Sequence, residues 1–332
     1  MEDIEFEIDP LDDVDADFTG NEEYIAQLTE AESRIIQLPV RALSFSQLTL
    51  HQSCPRRYYY RYVLKKRGGA SAGMVAGTLT HGAVEHAVNH KIKTGKDMHP
   101  DEAFAWIDQN VVDLAAEVER WDDDAFVDIT DPTKRREKLA HESRMLAGLF
   151  IRDRLPQLHP RVSEHKIETI IRDRIPYMGF VDLVVKNADT VLMSPEYAAS
   201  KDPRPHPQDT ILDLKTVKKN YGPHQVNNSL QLTLYAATTG CARVGFELII
   251  RPGQTARTAA PRLRSWPEDG MGVVRTHAEI EHALDYVTDV AESIASGSYP
   301  RTTPESWVCN AKWCDYYAEC RGSRANETSR IA

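Results

Sequence analysis

The sequence contains no apolar run approaching the ~20 residues that a membrane-spanning helix requires. Its first 33 residues include no lysine or arginine, so the chain does not begin with the basic, apolar start of a secretory signal. Cysteine is scarce, with 5 in 332 residues, which argues against a disulfide framework. We therefore expect no membrane association and a cytoplasmic location.

The formal net charge of −10 is unevenly distributed along the chain. Residues 1–33 hold 13 of the 50 acidic residues, so residues 34–332 contain 37 acidic and 40 basic residues and are mildly basic. We expect residues 1–40 to form a disordered acidic tail, because like charges repel and few apolar side chains can order it. The remainder, residues 41–325, is long enough for one domain with a helical insertion at about 98–160.

Apolar periodicity gives a coarse prediction of the fold. Helical spacing of apolar residues predicts helices at 78–92, within the insertion, and at 224–239 and 276–296. Alternating or continuous apolar runs predict strands at 165–174, 179–185, 211–217, 244–250 and 262–266. A proline-rich loop is predicted at 186–209. This order of elements predicts an α/β fold with a mixed central sheet flanked by helices.

The strongest local signal is the segment Ile211-Leu212-Asp213-Leu214-Lys215-Thr216. Side chains alternate on a strand, so Asp213 and Lys215 share one face. Asp182 likewise interrupts an apolar run, and a buried charge is costly without a partner. Two carboxylates on neighbouring strands offer hard oxygen ligands for Mg²⁺ or Mn²⁺, and a nearby lysine can stabilise negative charge. An ordinary buried Asp–Lys ion pair is the alternative.

Two helical pairs could support such a site. His81 and Glu85 are spaced i and i+4 and therefore lie on one helical face, although surface His–Glu pairs commonly show the same spacing. Gln231 and Tyr235 have the same separation on a helix that is otherwise apolar. They could equally form a hydrogen-bonded edge of the core.

Four of the five cysteines form a pattern typical of a metal site. Cys54 is followed much later by Cys309, Cys314 and Cys320, with four and then five residues between the last three. Four thiolates can hold a [4Fe–4S] cluster or a zinc ion. Zinc ligands usually come in closely spaced pairs, so one distant cysteine with a later trio favours the cluster. Cys241 lies outside this spacing and is predicted to be a small buried apolar residue.

Residues 56–67 combine six positive charges with four tyrosines. Cations interleaved with aromatic rings suit a nucleic-acid strand, because the cations bind phosphates and the rings stack on bases. Some of these tyrosines must face the core if the stretch is helical. The candidate DNA-binding residues are Arg56, Arg57, Tyr60, Arg61, Lys65 and Lys66.

Together these segments resemble the RecB-like branch of the PD-(D/E)xK nucleases, which includes AddB-type nuclease domains, CRISPR-associated adaptation nucleases and phage exonucleases. The resemblance runs in order from about residue 44 to 320. It rests on segments beginning at Cys54, Gly77, Gly179, Asp213, Gln231 and Cys309. The four-residue gap between Cys309 and Cys314 and the 30 residues between Asp182 and Asp213 depart from the family pattern.

The resemblance implies specific roles for these residues. His81, Asp182 and Asp213 would bind Mg²⁺ or Mn²⁺, assisted by the Leu214 carbonyl, and Lys215 would orient the attacking water. Glu85, Gln231 and Tyr235 would complete the catalytic site. The late cysteines would bind a [4Fe–4S] cluster in a segment at about 300–322, with zinc as the alternative.

The resulting hypothesis is a metal-dependent DNA exonuclease of a bacterium or phage, acting in recombination, repair or phage DNA metabolism. Its substrate would be single-stranded DNA or DNA with single-stranded ends, and the acidic tail could compete with DNA for a basic groove. The alternatives are a CRISPR adaptation nuclease that trims DNA before integration and a non-catalytic DNA-binding adaptor. Recombination or CRISPR proteins are the corresponding candidate partners.

Overall fold

The computed structural model describes residues 34–121, 125–253, 259–267 and 272–322, and a mixed β-sheet lies at its centre. A short parallel pair is formed by β1 (Ala70–Ser71) and β2 (Val118–Arg120). The central sheet contains β3 (Pro160–Ile171), β4 (Ile175–Val185), β5 (Thr210–Val217), β6 (Arg243–Ile250), β7 (Arg262–Trp266) and β8 (Val273–Val274). Its strand order is β3-β4-β5-β6-β7, with β8 also paired to β6. The β5–β6 pair is parallel, and the other pairs of this sheet are antiparallel.

Helices cover both faces of this sheet. They are α1 (Phe45–Ser53), α2 (Pro55–Tyr58), α3 (Ala72–Thr94), α4 (Pro100–Ala116), α5 (Pro132–Asp153), α6 (Ala188–Met193), α7 (Pro195–Ala199), α8 (Pro223–Asn227), α9 (Leu230–Thr239), α10 (His277–Ala295) and α11 (Tyr317–Arg321). A π-helical turn, Tyr59–Val63, continues α2, and a 3₁₀ turn, Leu155–Gln157, follows α5. Within the described ranges, no helix has the length and apolar character to cross a membrane.

Two apolar cores lie on opposite faces of the sheet. On one face, α3, α4 and α5 pack against a core that includes Leu212, Leu214 and Ile249. On the other face, α9 and α10 pack against a core that includes Ile211 and Val244. Ile211 and Leu212 are sequence neighbours that point to opposite cores, as strand alternation requires. The predicted fold class, a mixed α/β sheet flanked by helices, is confirmed.

Capping side chains explain where several helices begin and end. The Asp131 carboxylate accepts a hydrogen bond from the Thr133 N–H at 2.8 Å, so α5 begins at the Asp131-Pro132 step. Thr276 and Glu279 form a capping box at the start of α10. Gly240 ends α9 in the left-handed conformation, which glycine adopts at little cost. These local signals agree with the sequence predictions.

Three segments differ from their predictions. The proline-rich segment 186–209 is not only a loop, because it contains the short helices α6 and α7. The predicted helix 224–239 is two helices, since Ser229 caps a new helix and accepts from the Leu232 N–H. Most of the predicted acidic tail, residues 1–33, lies outside the described residues. Within 36–40 several side chains pack against the core, so the folded chain starts before the predicted boundary at residue 41.

A buried ion pair anchors the segment that precedes β5. Asp209 is fully buried, and its carboxylate accepts hydrogen bonds from Arg161 at 2.6 and 3.1 Å and from the Tyr197 hydroxyl at 2.5 Å. Removing one partner of a buried pair leaves the other charge without compensation. The pair therefore ties the 186–209 segment to β3.

We expect Asp209→Asn to lower the free energy of unfolding by about 3–5 kcal/mol, because it leaves the Arg161 charge buried beside a neutral side chain. The matched control is Asp202→Asn, which breaks an ion pair with the highly exposed Arg204 and should cost less than about 1 kcal/mol. Urea denaturation of the two variants measures the difference. Equal losses would contradict the structural role of the buried pair.

Candidate active site and cysteine-lined cavity

The β3–β4 ladder is distorted at one cross-strand position, where Glu164 lies opposite Asp182. Ser163 pairs with Leu183 and His165 pairs with Val181, whereas no pairing is formed between the two acids. Glu164 has a φ of +47°, in the left-handed region that non-glycine residues seldom adopt. A conformation of this kind costs on the order of 1–3 kcal/mol and is often found at functional sites.

This distortion changes which face the side chains of both strands occupy. Val162 and Ile167 are five residues apart, yet both contact the same core. Val181 and Val184 are three residues apart and also share that core. An odd spacing on a regular strand would place them on opposite faces. In each strand, the alternation of side chains between the two faces of the sheet is therefore interrupted next to the acidic residue.

The switch brings two acids to a cavity beneath α3. The charged or titratable side chains in its lining are His81 and Glu85 from α3, Glu164 from β3, Asp182 from β4 and Glu247 from β6. Leu212 and Leu214 of β5 and Phe150 of α5 contribute apolar surface. Four of these five polar side chains are carboxylates, so the cavity is strongly acidic.

Asp213 and Lys215 stand beside this cavity on β5. Asp213 is fully buried, and its Oδ2 atom lies 2.6 Å from the Lys215 Nζ atom. The β4–β5 pairing ends at Leu183 and Leu212. Beyond that point, the Asp182 carboxylate accepts a hydrogen bond from the Leu214 N–H at 2.8 Å. The two strands thus part where their acidic residues meet, and Asp182 replaces the missing ladder contact.

The predicted supporting pairs both contact this region. The Tyr235 hydroxyl donates to the Phe180 carbonyl at 2.7 Å and lies 3.4 Å from the Asp213 Oδ1 atom. Gln231 donates to the Tyr235 hydroxyl oxygen at 2.9 Å. On α3, Glu85 accepts from the Asn89 amide at 3.5 Å, a long contact. Gln231 and Tyr235 therefore position the backbone just before Asp182.

Burial and the proximity of several carboxylates shift the pKa values of the side chains at this site. Burial, together with Asp182, Glu85 and Asp213, raises the pKa of Glu164 to about 7. Burial and the neighbouring Asp182 also raise the pKa of Asp213, against the Lys215 charge. Burial lowers the pKa of His81 to about 4, so its imidazole is neutral at pH 7 and retains a lone pair.

Lys215 keeps its positive charge in this setting. Burial alone lowers its pKa, but the charge of Asp213 and their contact outweigh that effect, and the net pKa is raised. A permanent cation is thus fixed beside the most buried carboxylate. The arrangement is suited to offset negative charge that develops on a bound group.

Residues 42–193 match the sequence model of the PD-(D/E)XK nuclease superfamily. This match supports that superfamily. His81, Glu85, Glu164 and Asp182 lie inside the matched residues, and Asp213 and Lys215 lie beyond them. No curated protein shows significant similarity to the chain. A solved structure described as the crystal structure of SSO0001 is 12% identical, covering 90% of this chain and 95% of that one, with a TM-score of 0.35.

PD-(D/E)XK nucleases typically use Mg²⁺ or Mn²⁺, and the donor chemistry of this site suits such an ion. Carboxylate oxygens from Asp182 and Asp213 are hard ligands, and His81 is neutral. Asp213 Oδ2 is buried and, among the described residues, accepts no hydrogen bond of good geometry. No group of three or more His, Cys, Asp or Glu side chains in the same ranges is spaced to hold a metal ion. Asp182, Asp213 and His81 thus have donor atoms of the kind that Mg²⁺ or Mn²⁺ binds, although their spacing does not form a metal site. Their role as ligands stays a prediction.

Glu164 was not among the predicted site residues. The sequence carries a signal for it, because Val162 and Ile167 of the same strand cannot both be core residues under strict alternation. The residue responsible for the change of face is not visible from spacing alone. It becomes visible only through the backbone conformation and the cross-strand position of Asp182.

We expect Glu164→Gln to stabilise the metal-free protein increasingly as the pH rises. The folded-state pKa of Glu164 is about 7 and its unperturbed value is 4.5, so the folded state binds the extra proton and loses stability as pH rises through this window. The variant should match the parent near pH 4.5 and exceed it by on the order of 2 kcal/mol at pH 8, allowing for solvent screening.

Urea denaturation in EDTA measures this difference directly. Comparing variant with parent removes the opposite contribution of His81, whose depressed pKa favours the folded state at higher pH. The same substitution at the exposed Glu137 of α5, Glu137→Gln, provides the matched control. A flat difference for Glu164→Gln would show that its carboxyl does not sense the neighbouring acids.

The four cysteines with metal-site spacing line a second cavity. Cys54, which precedes α2, lines this small cavity together with Cys309, Cys314 and Cys320. All four are free thiols. Cys241 is buried in the core away from them, as predicted. Cys54 and the late trio therefore line one cavity, and their role as ligands of a common group stays a prediction.

Positive side chains surround these thiols. The Arg321 guanidinium donates to Cys309 Sγ at 3.1 and 3.3 Å, and Arg56, Arg57 and Arg301 also line the cavity. Burial raises the pKa of Cys314, and the nearby Cys54 and Cys320 raise it further, against the Tyr316 N–H and Arg57. Cations around clustered thiols suit an anionic thiolate-bound cofactor.

The Arg/Tyr-rich stretch divides between the core and the surface. Tyr58 is fully buried, and Tyr60 is 9% exposed and stacks on Tyr316 with centroids 5.2 Å apart. Arg56 and Arg57 line the cysteine cavity, and Lys66 forms an ion pair with Glu319. Arg61, Lys65 and Lys66 are exposed. Tyr60 therefore serves packing in this structure, and only the cations are available to a ligand.

Proposed function

We propose that this chain is a divalent-metal-dependent deoxyribonuclease that degrades DNA from its ends, in recombination, repair or phage DNA metabolism. The observation that carries the proposal is the buried Asp213 carboxylate, 2.6 Å from the Lys215 ammonium, on the strand beside Asp182. Burying the Asp213 charge, with the partly buried Asp182 and Lys215 beside it, costs stability unless the group serves a purpose. The superfamily match supports the same conclusion.

His81, Asp182 and Asp213 would hold the ion, and Glu164 supplies a further carboxylate at the same cavity. When bound, Mg²⁺ or Mn²⁺ would polarise the phosphoryl oxygen and lower the pKa of a water molecule. Lys215 keeps a positive charge where the attacked phosphate gains negative charge. Tyr235 fixes the backbone of Phe180, two residues before Asp182, and so limits movement of that ligand.

We further propose that the cysteine-lined cavity holds a [4Fe–4S] cluster through Cys54, Cys309, Cys314 and Cys320. Four irons each take one thiolate, so the sulfurs around a cluster stand farther apart than the ligands of a single ion. The absence of a single-ion ligand group among the described residues is compatible with that wider arrangement. Arg57 and Arg321 would balance part of its negative charge.

The test is digestion of end-labelled linear DNA and of circular DNA, each single- and double-stranded, with Mg²⁺, Mn²⁺ or EDTA. We expect linear DNA to be shortened only with a divalent ion, and circular DNA to remain intact. Cleavage of circular DNA would make the enzyme an endonuclease. Failure to cleave any substrate with either ion, despite DNA binding, would favour the non-catalytic adaptor.

A further inference from the structure

Two tryptophans next to the cysteine cavity are exposed. Trp307 is 76% exposed and Trp313 is 50% exposed, and each lies within two residues of a cavity cysteine. The other three tryptophans, Trp106, Trp121 and Trp266, are partly buried and pack against the cores. Tryptophan is a highly buried residue type on average, so two exposed rings within seven positions require a reason.

The backbone around both rings is ordered by local hydrogen bonds. The Cys309 N–H donates to the Ser306 carbonyl at 2.8 Å, and the N–H groups of Trp313 and Cys314 donate to the Asn310 carbonyl at 3.0 and 2.9 Å. Successive turns therefore order the backbone that carries both tryptophans, next to the cysteines that line the cavity. A preorganised ring loses little conformational freedom when a ligand binds.

The surface beside these turns is positively charged. Residues 54–69 contain six lysines and arginines and no acid, and Arg61, Lys65 and Arg67 are exposed. This stretch contacts the cysteine segment, since the Tyr316 hydroxyl donates to the Lys66 carbonyl at 2.7 Å. Two of the acids there, Asp315 and Glu319, already form ion pairs within the protein. The combined surface complements a polyanion.

The stacking rings are not the ones that the Arg/Tyr-rich stretch suggested. Tyr58 and Tyr60 are buried against Tyr299 and Tyr316, so neither can stack on a base. Aromatic faces and exposed cations are the two components of a single-strand binding surface. Here the cations come from one segment and the rings from the other.

We propose that Trp307 and Trp313 are stacking platforms for the bases of a single-stranded DNA segment whose phosphates contact the cations at 61–67. The proposal rests on the proposed function, because it specifies how the DNA substrate is held. Aromatic stacking is tolerant of sequence, since every base has a π face. Binding through these rings therefore shows little base preference.

Binding of a labelled oligothymidylate in EDTA tests the proposal without cleavage. We expect Trp307→Leu and Trp313→Leu each to weaken binding about tenfold, since stacking contributes roughly 1–3 kcal/mol per base. Trp307→Phe and Trp313→Phe keep a ring and should bind nearly as well as the parent. The exposed Leu192 provides a control, because Leu192→Ala removes an apolar side chain of another segment and should have no effect.

Salt dependence separates the rings from the cations. Lys65→Ala and Arg67→Ala should each flatten the dependence of binding on salt, whereas the Leu variants should lower affinity without changing the slope. If both Leu variants bind as tightly as the parent, the proposal is overturned. If a Leu variant fails to fold, the tryptophan fluorescence of the parent protein is measured instead. Binding of DNA should quench this emission.

That quenching should disappear in the Trp307→Phe, Trp313→Phe double variant while DNA binding persists. Quenching that survives in the double variant would also overturn the proposal. A small phosphodiester such as bis(p-nitrophenyl) phosphate distinguishes this outcome from failure of the proposed function. With Mn²⁺, the parent and the Leu192→Ala control should hydrolyse it equally fast. If the parent itself does not hydrolyse it or cleave DNA, the nuclease proposal fails while the binding results remain interpretable.

Discussion

Lys215→Ala is expected to slow DNA cleavage by about 100-fold or more. Loss of a single group that stabilises transition-state charge typically costs this much. The Lys215 ammonium lies 2.6 Å from Asp213 and keeps its charge despite burial. Among the described residues the lining of the adjacent cavity contains no lysine or arginine, and Arg154 beside it is paired with Glu247.

The matched control is Lys219→Ala, which removes an exposed lysine four residues further along the same segment. It should leave cleavage within about twofold of the parent, since screened surface charges contribute little. Initial rates on end-labelled linear DNA at saturating Mn²⁺ give the comparison. A Lys215→Ala variant that cleaves as fast as the parent would remove Lys215 from the catalytic machinery.

A second readout distinguishes a chemical role for Lys215 from a role in metal binding. The ammonium occupies the neighbourhood of the Asp213 carboxylate, so it repels a cation that approaches this side chain. Lys215→Ala should therefore bind Mn²⁺ at least as tightly as the parent, measured by the rise in Tm on adding the ion. Weaker Mn²⁺ binding would indicate that the substitution damaged the ligand set itself.

The pair on β5 was predictable because strand alternation needs only local sequence. Asp213 and Lys215 are two residues apart in an apolar run, and this spacing by itself places them on one face. Asp182 was predictable for the same reason, since it interrupts a buried strand. Their proximity depends on the order of the strands, which pairs β4 with β5 and which alternation within one segment does not give.

Glu164 could not be predicted in the same way. Its position depends on a left-handed backbone conformation and on its location opposite Asp182, and both arise from pairing between two strands. Strain of this kind is tolerated only when the surrounding structure enforces it. The periodicity of one segment cannot reveal this conformation, because it depends on the pairing of two strands.

The Arg/Tyr-rich stretch shows a different limit. Helical periodicity would separate buried positions by three or four residues, but Tyr58 and Tyr60 are both buried and only two apart. Tyr58 stacks on Tyr299, whereas Tyr60 stacks on Tyr316 of the cysteine-rich segment, so different elements cover the two rings. Which tyrosines are buried therefore depended on a distant segment of the chain, which local periodicity does not reveal.

The cysteine pattern also predicts that replacing any one of four cysteines removes the colour of the protein. Anaerobically purified protein should be brown and contain about four irons and four sulfides per chain. Alanine at Cys54, Cys309, Cys314 or Cys320 should abolish the colour, because all four thiols line one cavity. Cys241→Ala is the matched control and should keep the colour, since Cys241 is buried in the core and does not line that cavity.

Loss of the cluster should also lower the stability of the fold. Cys54 and Cys320 lie at opposite ends of the described chain, so a bound cluster would cross-link a very long loop. By analogy with a covalent cross-link, closing such a loop contributes about 5 kcal/mol, and Cys54→Ala should lower Tm markedly. Iron and zinc analysis of the same samples decides the identity of the group. Colourless protein that contains one zinc ion per chain would show that the cysteines bind zinc instead of a cluster. Metal-free protein whose Tm is unchanged in the Cys54→Ala variant would show that the four thiols bind no cofactor.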